Sequence, residues 1–354
     1  QGRIELEEGM GLFDWAVIRD SQIEDLAENI AVPEKWYYGS VCPKDPRKRY
    51  FILTQYLKHT FGRLFDENKI GFCEGDGKPL VAFNTGLVDR KYEDIYALFE
   101  ENVDPECPKE WCLNGFFSAG SKGGGKQLVR SFNPLPAKAD YFKGKFEYVF
   151  FDPRSGDFSC VTDHILIDNC RRLPAKFFEK YYGPHKLTQI NGLSFDEAQR
   201  LDEGDERSKE YFNSFQDILK KNDKIYRKIV RDLDDAVKMA EKRAEWNYKT
   251  AIPMYYPTNK KMSFLLPLCL LEEGIADAAL VVERCDNGNY IGQTILPLAL
   301  AYSNSRLITK PDRDWLNDEC PFEELSGLSR PEDKIEHSSV KAQVFKSDPS
   351  ILAR

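Results

Sequence analysis

Apolar positions recur every three or four residues in several stretches of the chain, and each such stretch predicts a helix. In "YFILTQYLKHTFGRLFDEN", Leu53, Tyr56, Leu57, Thr60, Phe61 and Leu64 form an amphipathic stripe. The longest signal runs from Arg207 to about Tyr248, through Tyr211, Phe215, Ile218, Ile225, Ile229, Leu233, Val237, Ala240 and Ala244. Asn222-Asp223 interrupts it with two good caps, so two helices or one kinked helix are expected. "SQIEDLAENIA", "AKFFEKYY" and "LSFDEAQRL" also read as helices, the last with Ser194 and Glu197 at capping-box spacing. Strand patterns appear in "IGFCE", "LVAFNTGLV", "WCLNGFFSAG", "FEYVFFDPR", "DHILID", "KMSFLLPLCLL", "DAALVVERC" and "NYIGQTIL". "GDGKP" marks a hairpin, "RSG" and "GDFSC" read as turns, and "YEDIYALFEEN" reads as a short helix after the "FNTG" strand end. A buried helix is expected in "PLALAYSNSRLI", with Pro297 at its first turn. No internal repeat is evident.

These patterns predict an α+β fold. It is a single domain over residues 1–316, with a mixed, mainly antiparallel sheet flanked by helices and a long helical excursion at about 175–250. Residues 317–354 lose the apolar periodicity and read as an irregular tail.

Composition narrows the function classes. Hydrophobic residues make up 42% of the 354 and aromatics 13%, enough for a sizeable core. The formal net charge of −8 means that nucleic acid would need a local basic patch. No apolar run reaches membrane-spanning length, and no membrane partner is expected. No signal or transit peptide is visible. The chain begins with Gln1 rather than Met and is read as a fragment of a longer protein. Nine cysteines in largely apolar surroundings suggest a reducing, cytoplasmic setting. Cys107 and Cys112 have no second pair or nearby His to complete a zinc set, so no metal site is expected and no cofactor is indicated.

"GSKGGGKQ" matches a phosphate-binding loop at Gly120, Gly125 and Lys126, but Gln127 stands where Ser or Thr should hold Mg²⁺. Pro134 and Pro136 should also break a helix soon after it starts. A surface turn is therefore preferred, and a nucleotide triphosphatase using this loop is the third choice.

Polar residues inside apolar segments are more informative, because burying them without partners is costly. Asn84 and Thr85 end an apolar strand, where they either hold a ligand or make a turn with Gly86. His164 and Asp168 share one face of a presumed strand, and Arg171 and Arg172 follow at its end. A His-Asp set with an Arg pair suits phosphate chemistry, with His164 as acid or base. Tyr256 lies among aromatics interleaved with lysines, a pattern that suits base stacking. Tyr302, Asn304 and Arg306 sit in the buried helix, where Arg306 needs an anionic partner, either a carboxylate such as Glu283 or a ligand phosphate.

"FNTGL", "IYALFEEN", "DHILIDNCRRLP", "FLLPLCL", "AALVVE", "TIL" and "AYSNSRLITKPDRDWL", in that order, resemble the uncharacterised family known as domain of unknown function 3825. The resemblance spans about Phe13 to Leu316. "AYSNSR" departs from the family's "AYNNAR" but keeps Asn304 and Arg306. Members often stand beside LOTUS-type RNA-binding modules, which implies an RNA-associated role. The leading expectation is an RNA- or nucleotide-phosphate-binding domain that is also a candidate phosphodiester-processing hydrolase. In it Arg171, Arg172 and Arg306 hold phosphate, Asn84 and Asn304 orient the ligand, and Tyr302 or Tyr256 packs on a base. The competing class is a non-catalytic protein or RNA interaction module.

Overall fold

A computed structural model describes residues 11–316, apart from 40, 75–77, 143–148, 188–189, 203 and 312–314. The tail 317–354 and most of the expected "FEYVFF" strand lie outside the described residues; Val149–Arg154 form a turn and loop.

The chain enters through α1 (Leu12–Trp15), β1 (Ala16–Val17) and α2 (Asp20–Asp25), which widens into a π turn over Leu26–Ile30. Then come α3 (Pro46–Arg49), α4 (Phe51–Asp66), β2 (Gly71–Glu74), β3 (Pro79–Val88), β4 (Asp94–Glu101), β5 (Trp111–Ser118) and α5 (Gly124–Ser131). The second half starts with β6 (Phe158–Cys160), a π turn over His164–Asp168 and a 3₁₀ turn over Cys170–Arg172. The helical excursion holds α6 (Ala175–Tyr182), α7 (Pro184–Leu187), α8 (Phe195–Arg200), α9 (Glu206–Lys221) and α10 (Asp223–Trp246). It returns to β7 (Ile252–Tyr256), β8 (Lys261–Leu268), β9 (Ala278–Arg284), β10 (Tyr290–Leu296) and α11 (Leu298–Arg306).

The fold is α+β, with its strands divided between two five-stranded sheets. Their orders are β1-β5-β4-β3-β2 and β6-β10-β9-β8-β7. In each, the first strand lies parallel to the last at one edge, and the other pairs are antiparallel. Each half also carries a π turn after its first strand and a helix after its last. The two halves thus share one topology, a repeat that no sequence similarity betrays.

Helices fill both faces of both sheets. Val81, Phe83, Ile95, Ala97 and Phe99 face an inner core with Leu53, Leu57, Phe61 and Leu64 of α4. Leu265, Ala279, Val281 and Leu296 of the second sheet join the same core, together with Ala301 and Tyr302 of α11. Phe264, Leu266, Leu280 and Val282 turn the other way, toward Tyr211, Phe215, Leu233 and Val237 of the excursion. On the outer face of the first sheet, Leu80, Ala82 and Leu98 meet Leu128 and Phe132. Each large apolar side chain so buried is worth about 1.5–3 kcal/mol relative to exposure. Among the described residues no helix is long and apolar enough to cross a membrane.

Three local expectations are corrected. "YEDIYALFEEN" forms β4, because Ile95, Ala97 and Phe99 are needed on one face while Tyr96 and Leu98 are buried on the other. With both faces covered, the run is apolar throughout and the period of two is hidden. "DHILID" is the second half's π turn rather than a strand, and "GDFSC" supplies β6 rather than a turn.

The glycine loop also differs from expectation, because α5 does form and runs to Ser131 before the two prolines. Its glycines answer to packing. A Cβ on Gly124 would sit 2.3 Å from the Phe117 ring, and one on Gly125 2.4 Å from the Ser118 carbonyl oxygen. The Gly120 N–H donates to Gly125 O at 2.9 Å and the Ser121 N–H to Ser118 O at 3.1 Å, so these donors are spent inside the loop.

Candidate functional site

The candidate residues fall into two groups on opposite faces of the second sheet. The outer group is local in sequence. The π turn places His164 and Asp168 one turn apart, so His164 Nδ1 lies 2.8 Å from Asp168 Oδ2. The Asn169 amide lies 3.0 Å from His164 Nε2 and also donates to the His164 carbonyl at 3.1 Å. Since the amide nitrogen only donates, this network puts the neutral ring's proton on Nδ1, toward Asp168. The imidazole is half-exposed, at 46%.

Asp168 and Asn169 line a concavity of about 400 Å³, together with Arg171, Arg172, Lys209 and Phe212. His164 therefore stands one hydrogen bond behind its wall. Both arginines are anchored. Arg171 donates to the carbonyls of Gln199, at 3.2 Å, and Leu201, with its guanidinium 5.8 Å from the Phe212 ring centroid. Arg172 reaches Thr294 Oγ1 at 3.1 Å and Ile295 O at 3.3 Å. It occupies the edge of β10 beyond the point where the short β6 stops pairing.

The inner group lies between the sheets. Arg306, at the end of α11, meets Glu34 in two hydrogen bonds of 2.6 and 2.8 Å, with the two side chains only 11% and 7% exposed. The expected carboxylate, Glu283, instead binds Lys261 and Gln293 at 2.7 Å each. The Arg306 guanidinium lies 5.1 Å from the Trp36 ring centroid and 4.9 Å from that of Tyr56. Burial works against its charge, but Glu34 and the nearby tyrosines hold its pKa above the usual value. Burial pushes the Tyr56 hydroxyl up, with Arg306 pulling it back.

The seam continues along one face of α4, through Tyr56, Thr60, Arg63 and Glu67 at spacings of four, three and four. Arg63 pairs with Glu67 at 2.6 Å and lies 5.8 and 5.3 Å from the ring centroids of Tyr141 and Tyr255. The Thr60 hydroxyl interacts with those of Tyr56 and Tyr141, whereas Trp36 Nε1 is buried there without a hydrogen-bond partner. Such groups are few in native proteins and each calls for an explanation.

Asn84 and Thr85 lie at an irregularity within β3 and bond its backbone and β4. The Asn84 amide donates to Asp94 at 3.1 Å and its oxygen accepts from the Gly86 N–H at 2.9 Å. The Thr85 hydroxyl donates to Ile95 O at 2.7 Å and accepts from the Leu87 N–H at 3.2 Å. They stabilise a bulge within β3, where pairing to β4 shifts between Asn84 and Val88. Gly86 adopts φ +76° there and packs against the Tyr56 hydroxyl. Tyr302 is fully buried beside Tyr38, with centroids 6.1 Å apart, out of reach of a bound polymer. Asn304 is 5% exposed, and Tyr256 is half-buried on β7.

Sequence reading missed Glu34, Trp36, Arg63 and Tyr141, and took Tyr56 and Thr60 for ordinary core. The available signal was the Tyr56-Thr60-Arg63-Glu67 spacing, which sets a polar row beside the apolar stripe of α4. Among the described residues no group of three or more His, Cys, Asp or Glu is placed to hold a metal ion.

No curated protein and no solved structure matches the chain. A family model covers residues 27–315, the inner and outer groups included, and the chain belongs to the family described as Domain of unknown function (DUF3825).

Proposed function

We propose that this domain binds nucleotide phosphate, as free nucleotide or as RNA, in the outer concavity. The observation that supports this reading is the His164–Asp168 pair standing directly behind a hollow lined by Arg171, Arg172 and Lys209. Guanidinium and ammonium groups donate to phosphate oxygens. The Asn213 and Gln216 amides on the same wall offer donors and acceptors. In an acidic chain this is the kind of local basic patch that nucleic-acid binding needs. His164, oriented by Asp168, is the acid or base of a phosphodiester-processing step, a role worth about 10²–10⁴ in rate.

A second reading, a non-catalytic interaction module, draws on the carbonyl bonds that Arg171 and Arg172 make within the fold. Fluorescence anisotropy with a labelled, unstructured oligoribonucleotide at several salt concentrations tests the first reading. Lys209→Ala should weaken binding about three- to tenfold and lower the salt slope by about one. His164→Ala should keep binding and abolish any cleavage. Absence of binding to oligoribonucleotide and ATP alike at low salt defeats the proposal. Binding with no cleavage by the unmodified chain leaves the module reading.

A further inference from the structure

The first sheet ends at one edge on β2, whose ladder to β3 pairs Gly71 with Ala82 and Glu74 with Pro79. In an antiparallel pair, alternate residues aim N–H and C=O at the partner and the others aim them away. β2 therefore presents backbone donors and acceptors off the sheet. Among the described residues nothing bonds to that edge. Proteins commonly blunt such an edge with charge, proline or a covering element. Here residues 131–137 run beside β2 without pairing to it, and Pro134 and Pro136 have no N–H to give. Phe132 and Pro136 lean on Gly71, where a Cβ would lie 3.0 Å from each. Beyond them the chain is tied to the residues that follow α4: Lys69 Nζ donates to Lys138 O at 2.8 Å, and the Asp140 N–H donates to Glu67 at 3.0 Å. Strand and neighbouring segment together line a concavity of about 950 Å³. The half-buried Ile70 and Phe72 border it on the inner side of the sheet, and Cys73 and Leu135 on the outer side.

We infer that β2 is a docking edge for a short extended peptide of a partner protein, which adds to the first sheet as a further strand. Unpaired backbone groups at strand spacing are matched in register by another extended backbone. The four residues of β2 span about 13 Å, so the contact takes four or five residues of peptide. Apolar side chains border both sides of the edge, so the peptide is rich in apolar, strand-forming residues. A second copy of this chain fits poorly, because the edge it would bring is flanked by its own 131–137 segment. This edge belongs to the first sheet, whereas the outer concavity lies on the second, so peptide docking does not depend on phosphate binding there.

The test pans a phage-displayed library of random peptides on the unmodified chain and then synthesises the most enriched sequence. Enriched sequences should carry runs of Val, Ile, Thr, Phe or Tyr without proline. The synthetic peptide should bind saturably and slow hydrogen exchange at the amides of Gly71–Glu74 by about tenfold or more, leaving those of β10 unchanged. The same peptide N-methylated along its backbone keeps its side chains but loses its donors, and should bind about tenfold more weakly or not at all. Leu135→Ala, which removes part of the apolar border, should weaken the unmethylated peptide about five- to tenfold. The inference is overturned if no peptide is enriched, if the bound peptide leaves the β2 amides unprotected, or if the N-methylated form binds equally well. It is also overturned if light scattering shows a dimer whose formation protects those amides, which would give the edge to a second copy. Should Leu135→Ala fail to fold, the exchange pattern and the N-methylated peptide decide.

Discussion

Arg306 and Glu34, 272 residues apart in sequence, meet in a near-parallel pair of hydrogen bonds with their charges almost wholly withdrawn from solvent. Glu34 follows the first π turn and Arg306 ends the last helix, so the contact closes the inner seam at one end. Removing one partner strands the other. Arg306→Met should therefore cost about 3–5 kcal/mol in urea unfolding, and Arg306→Met with Glu34→Leu substantially less. An additive double variant would show that the two charges do not depend on each other.

Gly86 is under two constraints. Its φ of +76° disfavours any side chain, and a Cβ would lie 2.5 Å from the Tyr56 hydroxyl oxygen but 3.8 Å from the ring carbon bearing it. Gly86→Ala should lower stability by about 2 kcal/mol or more. Tyr56→Phe, which deletes only the hydroxyl, should recover part of that loss in the double variant. Thermal unfolding of the four-member cycle reads the coupling, and equal losses with and without the hydroxyl would leave only the backbone strain.

His59 lies on α4, where burial, with Lys58 adding to it, lowers its pKa from 6.5 to about 4. A lowered folded-state value means that the unfolded chain binds the proton more readily. The contribution is intact above pH 6.5 and is lost progressively as pH falls toward 4. The shift corresponds to at most about 3 kcal/mol. Acid unfolding of His59→Gln should show a shallower decline across that window, and identical pH profiles would refute it.

Burial pushes the Cys170 thiol up to about 12 and the Cys160 thiol up to about 11, while Cys42 is exposed. The thiolate is the reactive form. Alkylation at pH 8 followed by mass spectrometry should label Cys42 first and Cys170 only once denaturant is added. Equal native-state rates would place Cys170 nearer the surface.

The local elements were legible where one face is wet. The α10 stripe from Ile229 to Ala244 is buried as its spacing predicts, and Asn222 breaks the long helix by accepting from the Ile225 N–H at 3.2 Å. Ser194 and Glu197 form the capping box. β4 was misread because helices cover both of its faces, which erases the alternation. The outer site was half legible, since His164, Asp168, Arg171 and Arg172 lie within nine residues; only their backbone geometry was wrong. The inner seam was hidden because Glu34, Tyr56, Tyr141 and Arg306 come from four distant stretches, and each by itself looks like ordinary loop or core. The repeat was hidden too, because it is written in strand order and not in side chains.

That shared strand order bears on how the chain can be divided. Neither sheet owns the core between them: α4 from the first half and α11 from the second fill it together, and Tyr141, from the segment joining the halves, packs against Tyr255 with centroids 4.9 Å apart. A chain cut near residue 145 should thus yield two pieces that stay unstructured or aggregate separately, and that restore the native circular dichroism when mixed. The pair would be a natural split reporter, whose halves signal only by finding each other.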